Sequence, residues 1–150
     1  MRLCRMALMS IGVLTLVTVA LSCHSNPAMR EIDVHATDYA FRVPRTVAPG
    51  LAAFRLVNDG NVWHEIQLFR FRPTVTAESA TRFLAADSIP DEARDSTGGV
   101  LIAGAQSATD QRLLTSLTHG ELYGLICDFR NAPSQPRHAK LGMFALVRVD

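Results

Sequence analysis

The chain has 150 residues, with 15 basic and 14 acidic side chains, a net charge of +1 and three cysteines. A balance so even, without a basic run or interleaved basic and aromatic residues, excludes a nucleic-acid surface. About 128 residues remain once the leader described next is set aside, which suits one domain with a single core.

Residues 1–22 read as a secretory signal peptide. Arg2 and Arg5 give a positive start, and an apolar run from Met6 to Leu21 follows, interrupted only by Ser10, Gly12, Thr15 and Thr18; Ser22 and Cys23 come next. The run is shorter than the roughly 20 apolar residues of a membrane-spanning helix; an uncleaved membrane anchor is the alternative. His24-Ser25-Asn26-Pro27 is polar and turn-forming, so residues 23–30 form a tether and residues 31–150 the domain.

From Glu31 the pattern is that of short strands. Ile32, Val34 and Ala36 alternate with Asp33, His35 and Thr37, and Tyr39 to Val43 is a second run, punctuated by Pro44 and Pro49-Gly50. Ala52 to Asn58 is a strand with Phe54 and Leu56 on one face, ended by the turn Asn58-Asp59-Gly60-Asn61. Trp63 to Phe71 follows, and its period of two puts His64 on one face with Ile66 and Leu68. Thr76 to Asp87 breaks the pattern: Thr76 is a fair N-cap, and Ala77, Ala80, Phe83 and Leu84 make a helical stripe, a lid for the sandwich. Asp91 to Gly99 reads as a polar loop and Val100 to Ile102 as a short strand. Gln111 to Thr118 and Glu121 to Phe129 are strands, the second with Tyr123, Leu125 and Cys127 on one face. A loop with two prolines spans Asn131 to Arg137, and Met143 to Val149 closes the chain. About seven short strands separated by turns, with one inserted helix, predict an all-β Greek-key sandwich.

Cys4 leaves with the leader, so an exported Cys127 stands without an internal disulfide partner unless Cys23 remains free. Such a thiol is buried, paired between chains or bound to something. His64, Cys127, His138 and Met143 supply two imidazoles, a thiolate and a thioether, the donor set of a blue-copper electron-transfer site. Sulfur donors suit Cu(I) and imidazole also suits Cu(II), so a site changing little between the two needs little reorganisation.

Three groups of residues carry resemblances. Ala20-Leu21-Ser22-Cys23 resembles a bacterial lipobox, which implies that Cys23 becomes the lipidated first residue of the mature chain. Ala36-Thr37-Asp38-Tyr39-Ala40-Phe41, Val57-Asn58-Asp59-Gly60 and Trp63-His64-Glu65-Ile66 resemble the first half of a bacterial plastocyanin-like domain of the cupredoxin family. Tyr123-Gly124-Leu125-Ile126-Cys127 and His138-Ala139-Lys140-Leu141-Gly142-Met143 resemble its second half, with the family's four-residue step between His138 and Met143. The resemblance implies one type 1 copper held by His64, Cys127 and His138 with Met143 axial, and Asn58 as the residue that pins the ligand loops near the thiolate. It implies transient electron exchange with redox proteins of the envelope, outside the cytoplasm, with the membrane met only through the lipid. His138 is the electron port if its ring edge is exposed.

The ten residues between Cys127 and His138 exceed the family's usual loop. A sandwich that has lost the metal and serves as a binding or structural module therefore stays open, as does copper storage or delivery. A thiol enzyme built on Cys127 and His138 lacks an orienting acid and an oxyanion-hole motif, and no enzymatic activity is expected.

Overall fold

The computed structural model describes residues 29–150; the signal peptide expected over 1–22, the lipidation at Cys23 and most of the tether lie outside the described residues. In chain order the elements are β1 (Arg30–Thr37), β2 (Ala40–Arg42), β3 (Thr46–Val47), β4 (Gly50–Asn58), β5 (His64–Phe71), α1 (Ala77–Ala85), β6 (Arg94–Ala103), β7 (Ser107–Ala108), β8 (Leu113–Leu117), β9 (Leu122–Ile126) and β10 (Phe144–Val149). No helix among the described residues is long and apolar enough to cross a membrane.

The strands form two five-stranded sheets. In the first, β1 lies between β2 and β4, and β4 also pairs with β7 and β8; the second has the order β3-β10-β9-β5-β6. The β1–β4 and β10–β3 pairs are parallel, and the others antiparallel. The alternation in the sequence becomes the core between the sheets. Ile32, Val34 and Ala36 of β1 and Phe54 and Leu56 of β4 face Ile66 and Leu68 of β5, Tyr123 and Leu125 of β9, and Val147 and Val149 of β10. Each fully buried large side chain contributes roughly 1.5–3 kcal/mol.

The helix explains why β9 is apolar on both faces. Its Tyr123 and Leu125 enter the sandwich, while Leu122 and Ile126 point outward beneath Ala80 and Leu84 of α1, beside Phe69, Phe71 and Ala139. The expected lid is thus present, and Thr76 caps it by accepting from the Ser79 amide at 3.2 Å. Gly124 is required here by space: a Cβ would lie 2.4 Å from Cζ of Phe69.

The expected polar loop from Asp91 to Gly99 is corrected. Only Asp91–Ala93 is a turn, of the 3-10 type, and Arg94–Ala103 is a ten-residue edge strand. It pairs with β5 through two register shifts, between Leu68 and Phe69 and between Arg70 and Phe71. A bulged edge strand with an exposed polar face lacks a period-two apolar pattern, so its composition resembled a loop.

One end of the sandwich collects the candidate ligands. β1, β4 and β9 finish there, and β5 and β10 begin there.

Candidate metal centre

His64 is the first residue of β5, paired across to Ala103 of β6. Its side chain shares the inward face with Ile66 and Leu68, and all three are fully buried. Cys127 follows β9 directly. Its amide donates to the Met143 carbonyl at 3.2 Å and its carbonyl accepts from Ala139 N at 2.8 Å. His138 opens a 3-10 turn, His138–Leu141, which Gly142 ends in the left-handed region at φ +104°. The His138 amide donates to Phe129 O at 2.8 Å, and the Met143 amide donates to His138 O at 3.0 Å.

These connections bring three donor atoms together. His64 Nδ1 and His138 Nδ1 are 3.2 Å apart, and Cys127 Sγ lies 3.9 Å from the first and 3.5 Å from the second. A point in their plane lies about 2.1 Å from all three, close to the 2.0–2.3 Å bonds metals form with imidazole and thiolate. The three side chains are buried and could hold a metal ion. Met143 is fully buried in the same core cluster as Cys127, and its backbone bonds to both Cys127 and His138.

The length of the Cys127–His138 loop does not separate its ends. Asp128 and Arg137, the residues immediately inside the two ligands, form an ion pair of 3.2 Å. With the two backbone bonds from His138 and Ala139, this closes the loop at its neck, and the additional residues form an outward excursion. Arg137 also clamps Asp87 with Nε at 3.0 Å and Nη2 at 2.7 Å, fastening the neck to the end of the inserted helix.

The outer nitrogens of both rings are engaged. His64 Nε2 lies 3.4 Å from Oδ1 of Asp38, and that carboxylate accepts from the amide of Asn61 at 2.9 Å and its Nδ2 at 3.1 Å. Gly60 leaves the necessary room, since a Cβ there would lie 2.5 Å from Asp38 Oδ1 and 3.0 Å from His64 Nε2. A carboxylate behind an imidazole fixes the tautomer that offers its other nitrogen to a metal. His138 Nε2 lies 3.0 Å from Asn131 Oδ1, and Asn131 Nδ2 donates to the Tyr39 hydroxyl at 2.7 Å. His138 is fully buried, so its ring edge is not an exposed port.

Asn58, expected to pin the ligand loops, is buried and fully bonded. Its Nδ2 donates to Val62 O at 2.8 Å, Ala103 O at 3.1 Å and Gly104 O at 2.8 Å, and its Oδ1 accepts from Gly60 N at 2.9 Å. It ties the turn leading into His64 to the end of β6. The sulfur of Cys127 is met instead by the Glu65 amide, which donates at 3.4 Å.

Burial sets the protonation of the three donors. It pushes the Cys127 thiol up to about 11, against the backbone amides of Glu65 and Phe129, which favour the ionised sulfur. Burial holds His64 below the usual imidazole range, with Asp38 opposing. It lowers His138 too, with the charge of His64 adding. The metal-free site is therefore two neutral imidazoles and a protonated thiol, and an entering cation displaces the thiol proton. A thiol raised this far is mostly un-ionised at neutral pH and so a weak nucleophile in the metal-free protein.

No family model matches the sequence, and no curated protein matches it significantly. Among solved structures it resembles auracyanin B, at 20% identity over 83% of this chain and 90% of that one, with a TM-score of 0.51. The fold is that of the cupredoxins. Two further solved structures are similar over most of the chain. Reduced auracyanin from the photosynthetic bacterium Roseiflexus castenholzii is 16% identical over 81% of this chain and 96% of that one, TM-score 0.47. Auracyanin A, a blue copper protein of the green thermophilic photosynthetic bacterium Chloroflexus aurantiacus, is 15% identical over 82% of this chain and 100% of that one, TM-score 0.49.

Asp38, Tyr39, Asn131 and the Asp128–Arg137 pair were not singled out from the sequence. Asp38 and Tyr39 stand within a stretch that resembles the family, but only the chain's return across the sandwich brings them to His64 and His138.

Proposed function

We propose that the chain is a type 1 copper protein that passes single electrons between redox partners of the cell envelope. The observation that carries this is the convergence of His64 Nδ1, Cys127 Sγ and His138 Nδ1 within 3.9 Å of one another on a cupredoxin scaffold. His64, Cys127 and His138, with the buried thioether of Met143 as a further candidate, would hold the ion with the donor set of a blue-copper centre. Bound copper supplies one-electron exchange between Cu(I) and Cu(II). The residues supply a cage that is closed before the ion arrives: the sandwich fixes His64 and Cys127, and the tied neck fixes His138. Such a cage would keep reorganisation between Cu(I) and Cu(II) small.

The leader at residues 1–22 and Cys23 support an extracytoplasmic, lipid-anchored protein that meets its redox partners transiently. The loop length that favoured a metal-free module loses its force once the Asp128–Arg137 pair closes the neck. Copper storage or delivery is the second reading, favoured by the burial of His138.

Titration with Cu(II) tests the proposal. An intense blue colour is expected, and it disappears in Cys127→Ser because the colour requires the thiolate–copper bond. A colourless copper complex, or a protein that refuses copper, overturns the assignment. Retained blue binding with slow electron self-exchange favours storage.

A further inference from the structure

The outer edge of His138 is closed by two residues from distant parts of the chain. Asn131 lies on the exposed excursion of the ligand loop and Tyr39 in the turn between β1 and β2, 92 positions away. Asn131 Oδ1 faces His138 Nε2 at 3.0 Å, its Nδ2 donates to the Tyr39 hydroxyl at 2.7 Å, and the Tyr39 ring packs edge-on against His138 with centroids 4.9 Å apart. Tyr39 holds this place with a left-handed backbone, φ +68°, a conformation that a residue with a bulky side chain keeps only where surrounding contacts enforce it.

An amide oxygen only accepts, so the facing Nε2 carries the proton and Nδ1 presents its lone pair inward. The same contact fills the space through which solvent or a partner would reach the ring. Asp38 does the first of these things for His64.

We propose that Asn131, latched by Tyr39, is a positioning residue for the metal centre: it turns His138 Nδ1 inward and seals the ring's outer edge. The proposal rests on the metal reading for its consequence in electron exchange, but the latch belongs to the metal-free protein as well. It makes the loop excursion a cover, and electrons do not pass through a bare His138 edge.

The test has two readouts. In the metal-free protein, nitrogen NMR of His138 is expected to show the Nε2–H tautomer, with that proton exchanging slowly with water. Asn131→Ala is expected to speed the exchange at least tenfold and to mix the tautomers. Asn131→Asp, which keeps an acceptor oxygen, restores the Nε2–H tautomer. Tyr39→Phe keeps the ring and removes the hydroxyl, and speeds the exchange several-fold; it tests the latch should the alanine variant fold poorly. In the copper-loaded protein, Asn131→Ala raises the electron self-exchange rate at least tenfold. A wild-type Nδ1–H tautomer, or proton exchange unchanged in both Asn131→Ala and Tyr39→Phe, overturns the proposal. An unchanged self-exchange rate in a blue Asn131→Ala protein overturns the sealing. If the wild type binds no copper, the copper reading fails and the imidazole measurements still decide the latch.

Discussion

Gly60 shows how little space separates a working ligand from a displaced one. It is needed for its missing side chain, because a methyl group there would press on both Asp38 and His64. Gly60→Ala is expected to push the carboxylate off the imidazole, destabilising the fold by about 1–3 kcal/mol and weakening copper binding by about 10–100-fold. Competition titration against a chelator of known affinity measures the second effect, and unchanged affinity would show that Asp38 does not orient His64. His64, Cys127 and His138, which the structure brings together, were named from the sequence. Cys127 had no disulfide partner, and four residues separated His138 from Met143 as in the family, although the loop from Cys127 to His138 was longer than the family's. Their supports were not singled out: Asp38 is 26 positions from His64 and Tyr39 is 92 from Asn131, and no local periodicity links residues so far apart.

Among the elements, α1 is more than a lid. Its apolar stripe covers the outer face of β9, and the segment after it supplies Asp87, whose side chain is only 3% exposed and takes both arms of Arg137. Removing Arg137 leaves a buried carboxylate without its partner and opens the neck of the ligand loop. Arg137→Ala is expected to cost about 2 kcal/mol, below the range for a fully buried pair because the arginine is about one-third exposed. Denaturant unfolding of the metal-free protein measures it. Arg137→Lys recovers only part, since a single ammonium group cannot place two donors on Asp87 Oδ2 and a third on Asp128 Oδ1 as the guanidinium does. The helix was predicted correctly because caps and a 3.6-residue stripe are local signals, and its observed span, Ala77–Ala85, lies inside the expected one. Strand β6 was half missed for the opposite reason: it is polar, bulged and at an edge, and its pairing with β5 is what makes it a strand.

For the whole molecule, the buried donors give the metal-free protein a bounded range of pH stability. His64 and His138 titrate below the unfolded value of 6.5, so the unfolded chain binds more protons in that window. Stability from the neutral rings is full above 6.5 and is lost as the pH falls. Cys127 is displaced in the other direction, from 9.0 to about 11, so the folded chain keeps its proton longer and stability falls as the pH rises through that interval. Glu65, raised chiefly by burial, opposes the histidines from about its unfolded value of 4.5 upward. Thermal melts are expected to show a plateau between about pH 6.5 and 9, with Cys127→Ser losing the alkaline fall that begins near pH 9 while Tyr123, raised by burial, keeps the fall above pH 10. A melting temperature in the wild type that stays as flat between pH 9 and 10 as it does in Cys127→Ser would contradict the raised thiol. The sandwich itself was readable because one face of nearly every strand is apolar. Which strands pair was not, and the parallel β1–β4 partnership depends on a crossover between sheets that no single segment encodes.

That partnership gives the molecule two unlike poles. β1 enters at Arg30 and runs eight residues to Thr37, next to Asp38 behind His64, a climb of about 25 Å at the rise of an extended chain. The last residue, Asp150, bonds back to Val47 at the starting pole. An attachment at Arg30 would therefore hold the protein at the pole opposite the buried His64, Cys127 and His138.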